Sequence, residues 1–357
     1  KPSWLKERLS RHLPAAAAPP GATRAMGGRA SARVGGPPPP EETEVFRLPA
    51  VEAALAVPAG GSGPRPEMQT RVLLAPVADP GRMRDAGYCD RADIEELWAQ
   101  KTRLDELFDR GEGGLYRRAR DELYPAAGLR GSSQDLGNRA GDKLAEVCGA
   151  VGGLACALRP APAESLFLDV CGAPGAWSKY LFRLGAESGA EMRGFGFSLK
   201  DGTNPLSCTW YGDLAARPDF TPLWGADGSG DVCNPDNIAQ VAKAVGSEVA
   251  IIVADGGFGV AAGASGEHLE NYQEIVSGRI LLAEVLVMLE TVRAGGCFIC
   301  KFFDTFSQLT VSLLFVLAAA FEEAYVVKPR HSRAVNSERY VVGKRFRGAG
   351  ALGLAEL

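Results

Sequence analysis

The sequence predicts an α/β protein with a mostly parallel sheet, helices on both faces of the sheet and an antiparallel last strand. After Pro160, short apolar segments alternate with longer segments of helical periodicity, which is typical of repeated βαβ units. Only about ten residues without helical periodicity separate the last two apolar segments. Such a short connection favours an antiparallel return at the end of the sheet.

The predicted elements can be placed along the chain from their periodicity. Strands are expected at Ser165–Cys171, Arg193–Leu199, Val249–Ala254, Cys297–Phe303, Ala324–Lys328 and Arg339–Lys344. Helices are expected at Ala176–Leu184, Pro235–Ala244, Asn271–Arg293 and Ser307–Phe321. Upstream, apolar residues at helical spacing mark Arg91–Phe108, Leu115–Leu123 and Asn138–Val151.

Composition divides the 357-residue chain into four parts. Residues 1–65 contain Pro/Gly/Ala tracts that cannot bury a core, so this segment is predicted to be mostly disordered. A helical layer is expected over residues 66–150 and the α/β core over residues 151–347. Residues 348–357 are expected to form a flexible tail.

Bulk properties narrow the classes of function. The net charge of −4 argues against a generally basic nucleic-acid-binding protein, so any basic surface must be local. Cys297 and Cys300 form a C-x-x-C within an apolar run, and with three histidines in the chain we expect buried strand residues and no metal site. Unpaired cysteines suit the cytoplasm or nucleus. No uncharged apolar run reaches membrane-spanning length, so no membrane partner is expected.

The segment Ser165–Tyr180 predicts a ligand-binding turn. An apolar strand leads into a small-residue turn, and Gly172, Ala173 and Gly175 allow the backbone to approach a ligand closely. Ligands bind at the carboxyl ends of parallel strands. The turn is neither G-x-G-x-x-G nor a P-loop, which favours a nucleoside–amino acid cofactor over a dinucleotide or ATP. A plain strand-to-helix turn is the alternative.

A second acidic turn, Gly230–Val232, precedes the helix predicted from Pro235. Its carboxylate or a backbone N–H could form a hydrogen bond with an adenine edge. By itself such a turn is more often the N-cap region of a helix, so both interpretations stay open.

Four charged residues stand out in the sequence, and the parallel topology predicts that two of them, Asp255 and Lys301, lie at neighbouring strand ends beside the first turn. Asp255 follows the strand VAIIVA, Lys301 lies within CFICKFFD, Glu338 precedes the last strand and Lys143 lies on the helix before the first strand. A lysine inside an apolar strand is costly unless it is paired or functional. A ribose hydroxyl is a poor nucleophile, and a lysine could act as its base if burial or a second ammonium lowered the lysine pKa from about 10.4 toward neutrality. Together with the turn, these residues favour catalysis over a strained salt bridge.

These motifs resemble one known family. Residues from about Tyr88 to Arg347 are similar to the FtsJ-like catalytic domain of eukaryotic mRNA cap-1 ribose 2′-O-methyltransferases, with the blocks in family order. The blocks are NRAGDK, DVCGAPGAWSKY, GFGFSLK, GSGDVCNPDNI, VADGGF, ENYQEI, GGCFICKFFDTFS and KPRHSRAVNSERYVV. The resemblance implies a Rossmann-like, S-adenosylmethionine-dependent methyltransferase that modifies the ribose 2′-hydroxyl of the first transcribed nucleotide.

The resemblance also implies roles for individual residues. It makes Lys143, Asp255, Lys301 and Glu338 a catalytic tetrad with Lys301 as general base. The cofactor positions are Asn138, Gly172, Ala173, Pro174, Gly175, Ala176, Trp177, Ser178, Asp231 and Val232. The cap and RNA positions are Lys101, Thr102, Arg103, Leu104, Asp105, Arg120, Asn271, Tyr272, Gln273 and Asn336. Without the resemblance, residues 101–105 and Arg120 would be interpreted as a solvated helix face.

The final segment is rich in cations and predicts a local phosphate-binding surface, with a charged edge strand as the alternative. The cations are Lys328, Arg330, Arg333, Arg339, Lys344, Arg345 and Arg347. The resemblance implies the capped mRNA 5′ end as partner, the capping machinery or RNA polymerase II as candidate protein partners, and a nuclear location, with the cytoplasm as the alternative. Two other functions stay open. One is cap-2, rRNA or tRNA ribose 2′-O-methylation by the same chemistry, and the other is a non-catalytic cap- or RNA-binding module.

Overall fold

One mixed sheet organises the computed structural model, which describes residues 43–49, 89–103, 105–123, 136–200, 209–257, 273–333 and 336–348. The strands are β1 (Glu44–Arg47), β2 (Glu164–Val170), β3 (Glu191–Phe197), β4 (Phe220–Leu223), β5 (Val249–Ala254), β6 (Val292–Phe302), β7 (Phe321–Lys328) and β8 (Arg339–Phe346). Their order across the sheet is β1-β7-β8-β6-β5-β2-β3-β4. The five neighbouring strands β6, β5, β2, β3 and β4 are parallel to one another. Strand β8 is antiparallel to both β6 and β7.

Helices cover both faces of this sheet. They are α1 (Arg91–Thr102), α2 (Asp105–Asp109), α3 (Gly113–Leu123), α4 (Arg139–Ala150), α5 (Ala176–Glu187), α6 (Gly212–Ala215), α7 (Pro235–Val245), α8 (Gln273–Thr291) and α9 (Gln308–Ala320). Helices α4 and α5 pack on one face, and α7, α8 and α9 pack on the other. Successive residues of β6 therefore enter different cores, as Ile299 and Cys300 do.

Local sequence signals explain where the helices near the site begin. Asn138 caps α4 by accepting a hydrogen bond from Ala140 N at 2.8 Å. Asn234 caps α7 with Pro235 in its first turn, and Ser307 caps α9. Strand β5 is buried along its whole length, as expected for a central parallel strand that is covered on both faces.

The predicted fold class is confirmed, including the antiparallel last strand and the strand bounds Val249–Ala254. The segment Arg91–Phe108 forms two helices, α1 and α2, rather than one. Strand β4 and helix α6 were not predicted, because four residues each are too few to establish a period.

The prediction of disorder over residues 1–65 is wrong for β1. Strand β1 pairs with β7 in antiparallel register, from Glu44 opposite Lys328 to Arg47 opposite Tyr325. Backbone pairing with an open sheet edge stabilises a segment that could not form a core of its own. Residues 1–42 and 50–65, and residues 349–357 of the predicted tail 348–357, lie outside the described residues.

Cys297 and Cys300 are fully buried on β6, which confirms their interpretation as strand residues. Within the described ranges, no three His, Cys, Asp or Glu side chains cluster as metal ligands. None of the described helices is both long enough and apolar enough to cross a membrane.

Candidate active site

The carboxyl ends of β2, β5 and β6 meet at one edge of the sheet. Val170 pairs with Ala254, and Ala254 pairs with Cys300. Asp255, the residue directly after β5, donates its backbone N–H to Val170 O at 3.2 Å. This register brings Asp255 and Lys301 beside the turn that follows β2, as the sequence predicted.

Lys301 and Asp255 form an ion pair at this edge. The ammonium Nζ lies 3.0 Å from Asp255 Oδ1 and donates a hydrogen bond to the backbone oxygen of Asp255 at 2.7 Å. The Lys301 side chain is 13% exposed and the Asp255 side chain 25% exposed. The ammonium is thus held by two contacts to one residue, and the edge of the sheet remains open to solvent.

Lys143 and Glu338 form the second ion pair of the tetrad. Lys143 Nζ lies 2.5 Å from Glu338 Oε1. Tyr340 donates its hydroxyl to the same oxygen at 3.0 Å, and Tyr340 is the residue that pairs with Lys301 across β6 and β8. The structure therefore brings all four predicted tetrad residues together.

The electrostatics of the two pairs favour their charged forms. Burial opposes ionisation of Glu338, but Lys143 and Lys301 outweigh it and lower the Glu338 pKa to about 2. Burial also acts to lower the pKa of Lys301, but Asp255, Glu338 and Glu284 act in the opposite direction and leave that pKa raised. The lowering of the Lys301 pKa that burial alone would produce is thus more than offset by the charges of these three carboxyl groups.

The turn after β2 has the shape of a cofactor cradle. Asp169 is fully buried, and its Oδ2 accepts hydrogen bonds from Ser178 N at 3.1 Å and Ser178 Oγ at 2.7 Å. A Cβ at Gly172 would lie 2.1 Å from Asp169 Oδ1, so only glycine fits there. At Gly175 the backbone φ of +105° requires glycine as well. Among the described residues, Asp169 Oδ1 has no hydrogen-bond partner, and burial raises the Asp169 pKa to about 7.

Neighbouring loops hold this turn in place. Ala173 N donates to Ser198 Oγ at 3.3 Å, and Pro174 O accepts a hydrogen bond from Tyr211 N at 2.9 Å. The Tyr211 hydroxyl accepts a hydrogen bond from Asn138 Nδ2 at 3.0 Å, which links the turn to the cap of α4. The turn and Asn138 thus lie around one site, as the cofactor prediction requires.

Three predicted cofactor residues have buried side chains. Ala176, Trp177 and Ser178 begin α5, and Trp177 Nε1 donates a hydrogen bond to Ala140 O at 2.7 Å. Trp177 thus ties α5 to α4, and Ser178 ties α5 to Asp169 on β2. A contact with a cofactor would come from the backbone of residues 172–175.

The second acidic turn behaves partly as a helix-capping segment. Asp231 Oδ1 accepts a hydrogen bond from Cys233 N at 2.8 Å, and Val232 is buried in the core. A Cβ at Gly230 would lie 1.8 Å from Ser198 O, so this turn packs closely against the end of β3. Contact with adenine by Asp231 or Val232 stays a prediction.

Lys101 is one of the predicted cap residues that the structure connects to the active site. Lys101 Nζ lies 2.6 Å from Asp304 Oδ2, and Asp304 follows β6 three residues after Lys301. Within α1, Thr102 Oγ1 donates to Trp98 O at 2.8 Å, and Arg103 Nη1 donates to Gln100 Oε1 at 3.1 Å just beyond the helix.

The other predicted cap positions differ in what can be said of them. Arg120 contacts its neighbour Asp121 at 2.6 Å on α3. Asp105 begins α2 and Gln273 begins α8. Leu104, Asn271 and Tyr272 lie outside the described residues.

Asn336 belongs to a loop that is organised around one buried ammonium. Lys328 Nζ lies between 2.7 and 3.2 Å from oxygens of Ser332, Arg333, Asn336 and Glu338. The side-chain oxygen of Asn336 is one of these partners. Asn336 therefore helps to fix the loop that leads to Glu338.

The cations of the final segment do not form one basic surface, so that expectation is wrong. Lys328 and Lys344 are largely buried, and Lys344 Nζ donates to Val151 O at 2.8 Å. Arg345 pairs with Glu322 at 2.7 Å and with Glu323. A strand rises about 3.3 Å per residue, so Arg345 lies roughly 20 Å from Arg339 at the site end of β8. Cations that are close in sequence are therefore separated in space, because successive strand residues point to opposite faces and the strand is long.

Sequence reasoning missed several residues that complete the site. Tyr340, Tyr211 and Asp304 each contact a predicted residue through a side chain. Tyr340 is the second residue of β8 and follows Glu338 by two residues, so period-two spacing at the entrance of the strand would have placed both on one face. Tyr211 lies in a stretch without a recognisable motif, and no sequence signal connects it to Asn138.

The chain is similar to known proteins over most of the described α/β core. The model of the FtsJ-like methyltransferase family matches residues 136–346. The chain is 43% identical over 258 residues to cap-specific mRNA (nucleoside-2′-O-)-methyltransferase 1 of Trypanosoma cruzi, covering 71% of this chain and 67% of that protein. It is 42% identical over 259 residues to the Trypanosoma brucei brucei protein of the same name, covering 71% of this chain and 66% of the relative.

The chain thus spans about two thirds of the length of these relatives. A solved structure of a Plasmodium falciparum ribosomal RNA methyltransferase has a TM-score of 0.40 and 18% identity, covering 59% of this chain and 98% of that one. The match of the family model over most of the α/β core, together with the close relatives, shows that this chain belongs to the FtsJ-like methyltransferase family.

Proposed function

We propose that this chain transfers the methyl group of S-adenosylmethionine to the ribose 2′-hydroxyl of the first transcribed nucleotide of capped mRNA. The observation that carries the proposal is the partly buried ion pair of Lys301 and Asp255 beside the Gly172 turn. The relatives named for cap-specific mRNA 2′-O-methylation support a capped 5′ end as the substrate.

The residues of the turn fit this cofactor. Gly172 and Gly175 would let the backbone approach the ligand, and buried Asp169 keeps the turn in shape through Ser178. S-adenosylmethionine supplies, when bound, an electrophilic methyl group on a sulfonium sulfur. Asn138 would lie at the methionine end of the cofactor, and Asp231 and Val232 would lie at the adenine.

Lys301 is the proposed general base. It can accept the proton of the ribose hydroxyl only in its neutral form. Because Asp255 and Glu338 raise the pKa of Lys301, the neutral form becomes more populated only as the pH rises. We therefore expect the rate of methyl transfer to increase from neutral to alkaline pH.

The other tetrad residues would orient the base and the ribose. Asp255 holds the Lys301 ammonium, and Lys143 fixes the Glu338 carboxylate at 2.5 Å. Lys101, with Asp304, supports a cap or RNA contact on the side of α1. The proposal extends to the nucleus as location and to the capping machinery or RNA polymerase II as protein partners, which imaging and co-purification of the tagged chain would test.

A matched set of short RNAs tests the proposed function. The chain is given labelled S-adenosylmethionine with a capped RNA, the same RNA without a cap, and a capped RNA whose first nucleotide is 2′-deoxy. We expect label only on the capped RNA that has the first 2′-hydroxyl.

Each other result indicates a different function. Equal label on capped and uncapped RNA would contradict a cap-directed enzyme and favour methylation of other RNAs. Label on the 2′-deoxy substrate would indicate a later nucleotide, as in cap-2. Binding of cofactor without any transfer would favour a non-catalytic module.

A further inference from the structure

A buried glutamate lies beneath the active site, on the other face of the sheet from the tetrad. Glu284 belongs to α8, a largely apolar helix of 19 residues, and is 1% exposed. Cys300, which it contacts, enters the same core as α8, whereas Lys301 is the next residue on β6 and points to the opposite face. A carboxyl group in an apolar core is costly unless its oxygens are hydrogen-bonded.

The two oxygens of Glu284 contact the two strands that carry the catalytic pair. Oε1 accepts a hydrogen bond from Gly256 N at 2.8 Å, and Gly256 directly follows Asp255. Oε2 accepts a hydrogen bond from the Cys300 thiol at 3.2 Å, and Cys300 directly precedes Lys301. One side chain therefore ties the end of β5 to the end of β6.

The fit of Glu284 against the turn is close. A Cβ at Gly256 would lie 2.3 Å from Glu284 Oε1, so the carboxyl group occupies the space that a larger residue would need. Gly256, Glu284 and Lys301 also line one small cavity. The carboxyl group is thus near the catalytic lysine without touching it.

We propose that Glu284 is a positioning residue for methyl transfer. It sets the spacing between Asp255 and Lys301, and it places a negative charge near Lys301 from the opposite face of the sheet. This inference rests on the proposed role of Lys301 as base. Glu284 would act through the backbone of Gly256 and through Cys300, not through substrate.

The charge of Glu284 depends on its surroundings. Burial raises its pKa to about 7, and the Cys300 contact and Lys301 oppose that rise. The titratable groups that interact with it come from β6, from the turn after β5, from the turn after β2 and from the turn before α7, and they are Cys300, Lys301, Asp255, Cys171 and Cys233. Ionised Glu284 is one of the groups that raise the pKa of Lys301.

Two substitutions separate spacing from charge. Glu284→Gln keeps an oxygen for Gly256 N and removes the charge, whereas Glu284→Met removes both hydrogen bonds. We expect Glu284→Gln to keep kcat within about threefold at its optimum and to shift the pH–rate profile at least about 0.5 pH unit toward lower pH. We expect Glu284→Met to lower kcat at least about tenfold with little change in KM for S-adenosylmethionine.

Glu274→Gln is the matched control. Glu274 is a buried carboxyl on the same helix, and it accepts hydrogen bonds from Phe306 N at 3.0 Å and Ser307 N at 2.8 Å, at the start of α9. This variant should lose thermal stability but keep the wild-type pH–rate profile. Cys300→Ala removes only the thiol contact and should lower kcat less than Glu284→Met does.

A second readout does not depend on activity. The reaction rate of Lys301 with an amine-acylating reagent, measured by mass spectrometry across pH, should shift toward lower pH in Glu284→Gln. If the wild-type chain methylates no RNA but this shift occurs, the proposed function fails, whereas the effect of Glu284 on the protonation of Lys301 is supported. Unchanged Lys301 reactivity together with an unchanged pH–rate profile in Glu284→Gln would overturn the inference. This outcome does not depend on Glu284→Met, so it holds even if that variant fails to fold.

Discussion

Lys143 and Glu338 lie 195 residues apart in the chain, yet their charged atoms are 2.5 Å apart. The contact joins α4, which precedes the parallel strands, to the loop that enters β8. The second pair, Lys301 and Asp255, closes the same site from the ends of β6 and β5. The tetrad therefore depends on the antiparallel insertion of β8 beside β6, and not on any local motif.

Substitution of Lys143 by Met should leave Glu338 as a buried carboxylate with one cation fewer. Since the Glu338 pKa is lowered to about 2, its ionised form stabilises the wild-type protein above its usual pKa of 4.5, and this stability is lost as the pH falls toward 2. At pH 7 we expect the free energy of unfolding of Lys143→Met to fall by about 3 kcal/mol. Urea unfolding across pH measures this.

The difference between Lys143→Met and wild type should shrink as the pH falls from about 4.5 toward 2. The double variant Lys143→Met/Glu338→Gln is the control, because it also removes the unpaired charge, and it should recover part of the lost stability. Equal unfolding free energies of wild type and Lys143→Met at every pH would contradict the ion pair.

Substitution of Gly172 by Ala should damage the cofactor turn. The added Cβ would lie 2.1 Å from Asp169 Oδ1, and Asp169 is held in place by Ser178. Because the turn must shift, we expect the Kd for S-adenosylmethionine to increase at least about tenfold, which corresponds to about 1.4 kcal/mol. Isothermal titration calorimetry measures the Kd.

Gly149→Ala is the control for the loss of a glycine. A Cβ at Gly149, on α4, would have no atom within 4 Å. This variant should bind cofactor as wild type does and gain up to about 1 kcal/mol of stability, because alanine favours the helix. If Gly172→Ala binds as tightly as Gly149→Ala, residues 172–175 do not hold the cofactor.

Arg120→Ala should raise the apparent KM for capped RNA about three- to tenfold and leave kcat unchanged, because a binding contact is lost equally from the bound substrate and the transition state. Initial rates over a range of RNA concentrations measure this. Arg118→Ala, on the exposed side of the same helix, is the matched control. Equal increases in KM for both variants, or for capped and uncapped RNA alike, would show a general charge effect rather than a cap contact.

Much of the fold could be predicted because its signals are local. Strand β5 is a continuous apolar run and α7 has Asn234 and Pro235 at its start, so both have bounds that the sequence defines within a residue. Strand β1 could not be predicted, because its stability comes from pairing with β7 at the edge of the sheet. The sequence of β1 has too few apolar residues to form a core by itself.

The members of the site could be predicted better than their electrostatics. Lys301 is conspicuous as a lysine in an apolar strand, but the direction of its pKa depends on three carboxyl groups from other segments. Nothing in the sequence indicated that Glu284 is buried near the site, because an acidic residue in a long helix is ordinarily exposed. The cations near the end of the chain were predicted to form one surface because they are close in sequence, but Lys344 is buried and Arg345 lies at the far end of β8.

In the proposed reaction, Lys301 removes the proton from a ribose 2′-hydroxyl. Arginine at this position would keep the positive charge beside Asp255 but could not lose its proton in the accessible pH range. The direct measurement is the single-turnover rate of methyl transfer to capped RNA for Lys301→Arg and Lys301→Ala, with cofactor binding measured in parallel. A loss of about 10²- to 10⁴-fold in both variants with cofactor affinity retained is the predicted result. A rate within about tenfold of wild type in either variant would contradict the role of Lys301 as base.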